Sequence, residues 1–332
     1  MPAKESPHET RMPEGTAKRS PNELPADVKR NIETVIVGKG ETADLLLICL
    51  MCGGHVLIED MPGLGKTSLV AALAASVDGS FQRIQFTPDV LPSDVTGFTI
   101  YHPVTGEERF YQGAVMCNIL LADELNRTSP KTQSALLQAM QEGVVTVDGV
   151  TRELPRPFMV CATQNPVEQA GTYPLPEAQL DRFLMRIHMG YPSKSDEISI
   201  LERNKKGGKT AAVSPVAKVE DVLALQEALD NIVCSRPVMS YIVDIVGRTR
   251  THEDVALSAS PRGAIALMRA SMGRALLSGR GFVLPDDVQA MARHTLCHRL
   301  ILSTRAYTQN RDAEKVLNDI IKTTPVPVVS GP

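Results

Sequence analysis

The amino-acid sequence predicts an α/β domain built on a parallel sheet, followed by a smaller helical domain. Three observations predict it. Short apolar runs, HVLIED, NILLAD and FMVCATQ, alternate with helix-patterned segments to about Tyr191, the rhythm of parallel strands covered on both faces. A polar, glycine-bearing stretch, ERNKKGGKTAAVSPV at 202–216, then interrupts that rhythm. Beyond it, apolar residues recur at three-to-four spacing. At roughly 100–200 residues per domain, a chain of 332 residues accommodates two such units.

Residues 1–25 contain ten Pro, Gly, Ser or Thr and no aromatic side chain, so they read as a tail that cannot offset its ordering entropy. The core domain is expected over 26–192. Within it PADVKRNIETVI and ETADLLLICLMC have helical spacing, with Gly53 and Gly54 as a stop. HVLI follows as a buried strand, then the helix SLVAALAAS, the strand NILLAD, the helix PKTQSALLQAMQEG and the strand FMVCATQ. Residues 193–216 read as a linker, with Gly207 and Gly208 as its hinge. The helical domain is expected over 217–322, in segments such as VEDVLALQEALDNIV and PDDVQAMARHTLCHRLI, and 323–332 as a frayed, Pro-rich end.

Composition excludes several function classes. Lys and Arg total 35 against 38 Asp and Glu, a net charge of −3 without a long run of one sign, which argues against a dedicated nucleic-acid or membrane-surface binder. An aromatic content of 4 % with no Trp argues against a stacking platform for single strands. No apolar stretch approaches the roughly 18 residues of a membrane span, and the N-terminus lacks the apolar centre of a secretory signal, so a cytoplasmic protein without membrane insertion is expected. The six cysteines sit mostly in apolar runs and read as reduced, buried thiols, Cys49-x-x-Cys52 included.

The strongest motif is DMPGLGKTS, comprising Asp60, Met61, Pro62, Gly63, Leu64, Gly65, Lys66, Thr67 and Ser68, between the strand HVLI and the helix SLVAALAAS. That context suits a phosphate-binding loop: the glycines let successive N–H groups face an anion, Lys66 meets the β- and γ-phosphates, and the Thr67 hydroxyl can ligand Mg²⁺. Asp60 departs from the usual glycine at the first position; a carboxylate there must point away or weaken the pocket. A second GGKT, at 207–210, has no strand before it and reads as linker. NILLADELNR ends a strand on Asp123, suited to the Mg²⁺ shell, and Glu124, suited to polarising a water. Together these predict an ATP-hydrolysing site. Asn165, at the end of VCATQN, can hold the attacking water or simply make the turn before Pro166. Arg182 and Arg262, at helix ends, are on chemistry alone ordinary surface cations. His294, Cys297 and His298 share a helical stretch and read as structural.

RIQFTPDVLPSDVTG at 83–97, LADELNRTSPKTQSALLQAMQEG at 121–143, ATQNP at 162–166 and LPEAQLDRF at 175–183 resemble the MoxR family of AAA+ ATPases, as do ASPRGAIAL at 259–267, LPDDV and CHRL. The resemblance covers roughly residues 27–300. It implies a P-loop AAA+ core, a five-stranded parallel sheet with helices on both faces, carrying a C-terminal helical lid and assembled as a hexameric ring with ATP between neighbours. By the same resemblance Lys66 and Thr67 match Walker A, Asp123 and Glu124 Walker B, and Asn165 sensor 1. Arg182 resembles the arginine finger given to a neighbouring subunit, and Arg262 the sensor 2 arginine, expected to reach the γ-phosphate from the lid. Val35, Ile36, Val37 and Gly38 resemble the adenine-contacting segment, and 86–113 and 143–154 the family's inserted hairpins. The implied work is chaperone-like: remodelling a protein client, as in metal-cofactor insertion or complex maturation, often with a von Willebrand factor A domain partner. A nucleotide-gated scaffold with little turnover and a DNA-acting translocase or transcription activator are the competing readings.

Overall fold

The computed structural model of the chain describes residues 23–61, 63–165, 171–205 and 213–328. Helices α1 (Leu24–Val35) and α2 (Gly40–Met51) lead into strand β1 (Val56–Glu59), helix α3 (Lys66–Ser76) and strand β2 (Phe81–Gln85). Helix α4 (Pro92–Thr96) introduces an antiparallel hairpin, β3 (Gly97–Tyr101) with β4 (Glu108–Gln112). After β5 (Ile119–Asp123) and α5 (Pro130–Glu142) comes a second hairpin, β6 (Val144–Val147) with β7 (Val150–Glu153). Asp148 and Gly149 at its tip have φ of 51° and 77°, the doubly positive turn that matches strand twist. The core closes with β8 (Met159–Gln164), α6 (Glu177–Leu180), β9 (Met185–Ile187) and α7 (Lys194–Lys205).

The sheet is parallel and five-stranded, in the order β2-β5-β8-β1-β9. Strand alternation sends its side chains to two cores. Val56, Ile58, Ile119, Leu121, Met159, Cys161, Met185 and Ile187 pack toward α1, α2 and α3, while Leu57, Leu120, Ala122, Val160 and Ala162 pack with Leu136, Leu137 and Met140 of α5. The helical domain follows as α8 (Val219–Leu229), α9 (Arg236–Thr249), strand β10 (Val255–Leu257), α10 (Pro261–Leu277), α11 (Pro285–Leu296), β11 (Ile301–Leu302), α12 (Thr304–Thr308) and α13 (Ala313–Thr323). Its apolar side chains join the first core through α2, so the lid packs beside the sheet's β9 edge.

The structure departs from the sequence reading in three places. α1 begins at Leu24, and Leu24 and Pro25 are buried in it, so the last two residues of the stretch expected as tail belong to the first helix. Residues 194–205 of the expected linker are the helix α7, opened by reciprocal bonds in which the Asp196 N–H donates to Ser193 Oγ and the Ser193 N–H to Asp196 Oδ2, each at 3.2 Å. The expected hinge glycines, Gly207 and Gly208, and most of the expected tail lie outside the described residues. The lid also contains the short antiparallel pair β10–β11.

Candidate functional site

The C-terminal ends of β1, β5 and β8, neighbours in the sheet, open into one cavity of about 390 Å³. It is lined by Gly63, Gly65, Lys66, Thr67, Ser68, Arg83, Gln85, Asp123, Glu124, Thr163 and Asn165. Gly63 and Gly65 have φ of 85° and 84°, backbone that a side chain would strain, and Gly65 caps α3 so that the helix N-terminus faces the cavity. Lys66 Nζ donates to the Asp60 carbonyl oxygen at 2.7 Å. Partial burial pulls the Lys66 ammonium below its ordinary range, and the carboxylates of Asp123, Asp60 and Glu124 pull it back up.

Asp60, the residue at odds with the phosphate-loop pattern, directs its carboxylate elsewhere. Oδ1 accepts from the Gly190 N–H at 3.3 Å and Oδ2 accepts from the Met189 N–H. Its main-chain carbonyl makes the hydrogen bond to Lys66, and the carboxylate bears on the loop only through the charge that Lys66 feels. Pro62 lies outside the described residues, Met61 is exposed, and Leu64 is half-buried and does not line the cavity.

Across the cavity, Asp123 has both oxygens engaged. Thr163 Oγ1 donates to Oδ1 at 2.6 Å and Arg83 Nη2 donates to Oδ2 at 2.7 Å. The Thr163 hydroxyl oxygen in turn accepts from the Glu124 N–H at 2.9 Å. Glu124 holds left-handed backbone, φ 55° and ψ 47°, sparsely populated for a residue with a Cβ and enriched where function over-determines geometry. Its carboxylate pairs with Arg127 Nε at 3.1 Å. Asn165, 9 % exposed, completes the rim. Arg83, Gln85 and Thr163 lie inside the family-like segments RIQFTPDV and ATQNP without an assigned role; the i, i+2 pairing of Arg83 and Gln85 on one strand is the signal that could have found the first two.

Four expected contributors stand elsewhere. Val37 and Gly38 do not line the cavity; Ile36 Cδ1 lies beside Gly65, and Gly38 (φ 72°) is pressed against the Asp196 carboxylate, which leaves no room for a Cβ. Arg182 lies three positions before β9, at the sheet's N-terminal end, and Arg262 lies in the first turn of α10. The Arg262 charge bears on His55 and Arg299. His55 precedes β1, and β1 spans its four residues, about 13 Å, before the phosphate loop begins. Ser260 Oγ donates to Asp181 Oδ2 at 3.0 Å, which sets the start of α10 beside the segment before β9, and Arg262, two residues on, does not line the phosphate cavity of its own chain, contrary to the expectation that the lid presents it there. Both arginines occupy the end of the sheet opposite the cavity.

Among the described residues no cluster of three His, Cys, Asp or Glu could hold a metal ion, and no helix is long and apolar enough to cross a membrane.

Comparison with known proteins accords with this geometry. Residues 55–185 match the family described as ATPase family associated with various cellular activities (AAA), and residues 247–320 match the AAA lid domain. The uncharacterized protein YeaC of Bacillus subtilis (strain 168) is 52 % identical over 90 % of this chain and 93 % of its own length. The chaperone MoxR1 of Mycobacterium tuberculosis is 40 % identical over 90 % of this chain and 81 % of its own. The crystal structure of a candidate ATPase from Cytophaga hutchinsonii superposes with a TM-score of 0.87 at 38 % identity, covering 93 % of this chain and 96 % of that one. With a Gly-Lys-Thr loop facing an Asp-Glu strand end on such a sheet, and with likeness to a chaperone MoxR1 over 90 % of its length, the chain belongs to the MoxR family of AAA+ ATPases.

Proposed function

We propose that the protein hydrolyses ATP in this cavity and uses the turnover to remodel a protein partner. The observation that carries the reading is the meeting of Lys66 and Thr67 with Asp123, Glu124 and Asn165 around one cavity. The loop amides and Lys66 bind the β- and γ-phosphates. Glu124 polarises the attacking water and Asn165 orients it without changing protonation. Thr67 and Asp123 offer the hard oxygen donors that Mg²⁺ prefers and would hold it; bound there, Mg²⁺ neutralises phosphate charge. Val37 and Gly38 would border the adenine.

The two remote arginines act on a neighbour. Because Arg182 and Arg262 share the far end of the sheet, a hexameric ring in which that end meets the next subunit's cavity gives each γ-phosphate two cations from outside its own chain. Arg262 is thereby reassigned from its own site to the adjoining one. Likeness to a protein named chaperone MoxR1 supports a protein client; a cytoplasmic location, work in the manner of cofactor insertion or complex maturation, and a von Willebrand factor A domain protein as candidate partner rest on the resemblance of the motifs alone, and a net charge of −3 disfavours nucleic acid.

The test mixes two inactive variants. Arg182→Ala keeps a sound phosphate site and Lys66→Ala a sound finger, so mixed rings contain complete interfaces that neither pure ring has. Phosphate release should rise above the weighted sum of the pure variants. Mixed assemblies, verified by mass, that stay at that sum refute the trans role.

A further inference from the structure

Arg299 ends the short 3₁₀ turn Cys297–Arg299 after α11, and its side chain is only 3 % exposed. Its donors converge on the segment that carries Arg182. Nε donates to Asp181 Oδ1 at 2.6 Å, Nη2 to the carbonyls of Asp181 at 3.2 Å and Phe183 at 2.7 Å, and Nη1 to the carbonyl of Leu184 at 3.4 Å and to that of Thr295. The other Asp181 oxygen accepts from Ser260 Oγ at 3.0 Å, and Ser260 caps the helix whose first turn holds Arg262. One lid guanidinium thus grips the main chain on both sides of Arg182, while a lid hydroxyl ties the same carboxylate to the start of α10.

We propose that Arg299, assisted by Ser260, is the positioning residue for Arg182: it locks the segment 181–184 to the lid so that Arg182 and Arg262 move as one two-pronged unit toward the neighbouring site. This rests on the reading of Arg182 as a cation acting on the adjoining subunit. The physical case is one of specificity. Burying a guanidinium carries a desolvation cost, and well-packed apolar side chains would hold lid to core at least as well. What apolar packing cannot supply is a fixed fork of donors that sets the main-chain path either side of one residue. Lysine cannot supply it either, because a single ammonium can keep the Asp181 pair but not reach several carbonyls in the guanidinium plane. A finger displaced by about 1 Å loses on the order of 100-fold in rate although its own chemistry is intact. Lid rotation is then transmitted to the finger without a separate relay.

The experiment sorts variants by which partner rescues them. Arg299→Lys should bind a fluorescent ADP analogue as the parent does, turn over about 10- to 100-fold slower, regain turnover when mixed with Lys66→Ala, and gain nothing when mixed with Arg182→Ala. That pattern marks Arg299 as part of the finger side of the interface, which a general loss of packing would not reproduce, since a loosened subunit would also fail as the nucleotide-holding partner. Ser260→Ala, which removes only one hydroxyl, should show the same pattern with a smaller loss and decides the matter if Arg299→Lys does not fold. Rescue of Arg299→Lys by Arg182→Ala, or parental turnover in the folded variants, overturns the proposal. If Arg182→Ala and Lys66→Ala fail to rescue each other, the trans reading falls and this proposal with it; if they succeed and neither Arg299→Lys nor Ser260→Ala is rescued by Lys66→Ala, this proposal falls alone.

Discussion

His55, the residue that precedes β1, ties three elements of the core together through a neutral ring. It is buried, with Nε2 placed 3.0 Å from the Met140 carbonyl at the end of α5, and Nδ1 accepting from the Val160 N–H of β8 at 3.0 Å. One nitrogen must donate and the other accept, so a doubly protonated ring cannot keep both bonds. Phe158 packs edge-on, with ring centroids 5.7 Å apart. Burial lowers the pKa from 6.5 to about 4; the bond to the Met140 carbonyl, the next largest influence, opposes it, and the Arg262 charge adds a smaller push downward. A histidine whose folded pKa is depressed takes up its proton in the unfolded chain first, so its contribution to stability is whole above 6.5 and is lost as pH falls toward 4. At about 1.4 kcal/mol for each tenfold change in the protonation equilibrium, the loss approaches about 3 kcal/mol below pH 4 and is about 2 kcal/mol at pH 5. Urea unfolding of the parent and of His55→Gln at pH 7.5 and pH 5 measures it. His294 and His298, whose pKa values burial also lowers, titrate in both proteins and cancel in the difference. The parent should lose about 2 kcal/mol more than the variant between the two pH values; equal losses would refute the ring assignment.

Asp60→Ala should leave nucleotide affinity unchanged, because the carboxylate serves Met189 and Gly190, and should cost about 1–3 kcal/mol in urea unfolding through the N–H groups left without their acceptor. Tighter ATP binding in the variant would mean that the carboxylate faces the phosphates after all. Arg83→Gln removes a half-exposed cation from Asp123, so affinity for ADP in chelator, measured by fluorescence titration, should fall about 3- to 5-fold, the scale of an exposed ion pair, and fall less once Mg²⁺ is restored. An unchanged affinity in chelator would show that Arg83 does not offset the Asp123 charge.

The parts of the site legible in the sequence are those whose geometry is local. Lys66 and Thr67 follow their glycines within one turn, and Asp123 and Glu124 end a run of apolar residues that can only be a buried central strand. The edges of the sheet were harder to read. β2 has mostly exposed or half-exposed side chains and β9 has three residues, so neither carries an apolar run, and their existence came from family resemblance. α7 reads as linker in the sequence because KSDEISILERNK has few apolar residues, yet the Ser193…Asp196 spacing is a helix-start signal written in the chain. Arg262 could not be placed from sequence, since its distance from the cavity depends on how the lid packs against α2 and β9, a matter of surfaces far apart in the chain. The orientation of Asp60 was open for the same reason: its partners, Met189 and Gly190, lie some 130 positions further on.

The central claim is that the cavity at the ends of β1, β5 and β8 binds ATP through Lys66 and hydrolyses it through Glu124. Its most direct measurement follows bound nucleotide over time in the parent, Lys66→Ala and Glu124→Gln, with radiolabelled ATP separated from ADP after rapid isolation of the protein. The account predicts that the parent recovers ADP, that Glu124→Gln retains uncleaved ATP, and that Lys66→Ala retains neither. Cleavage of ATP by Glu124→Gln at the parental rate, or parental ATP affinity in Lys66→Ala, would contradict it.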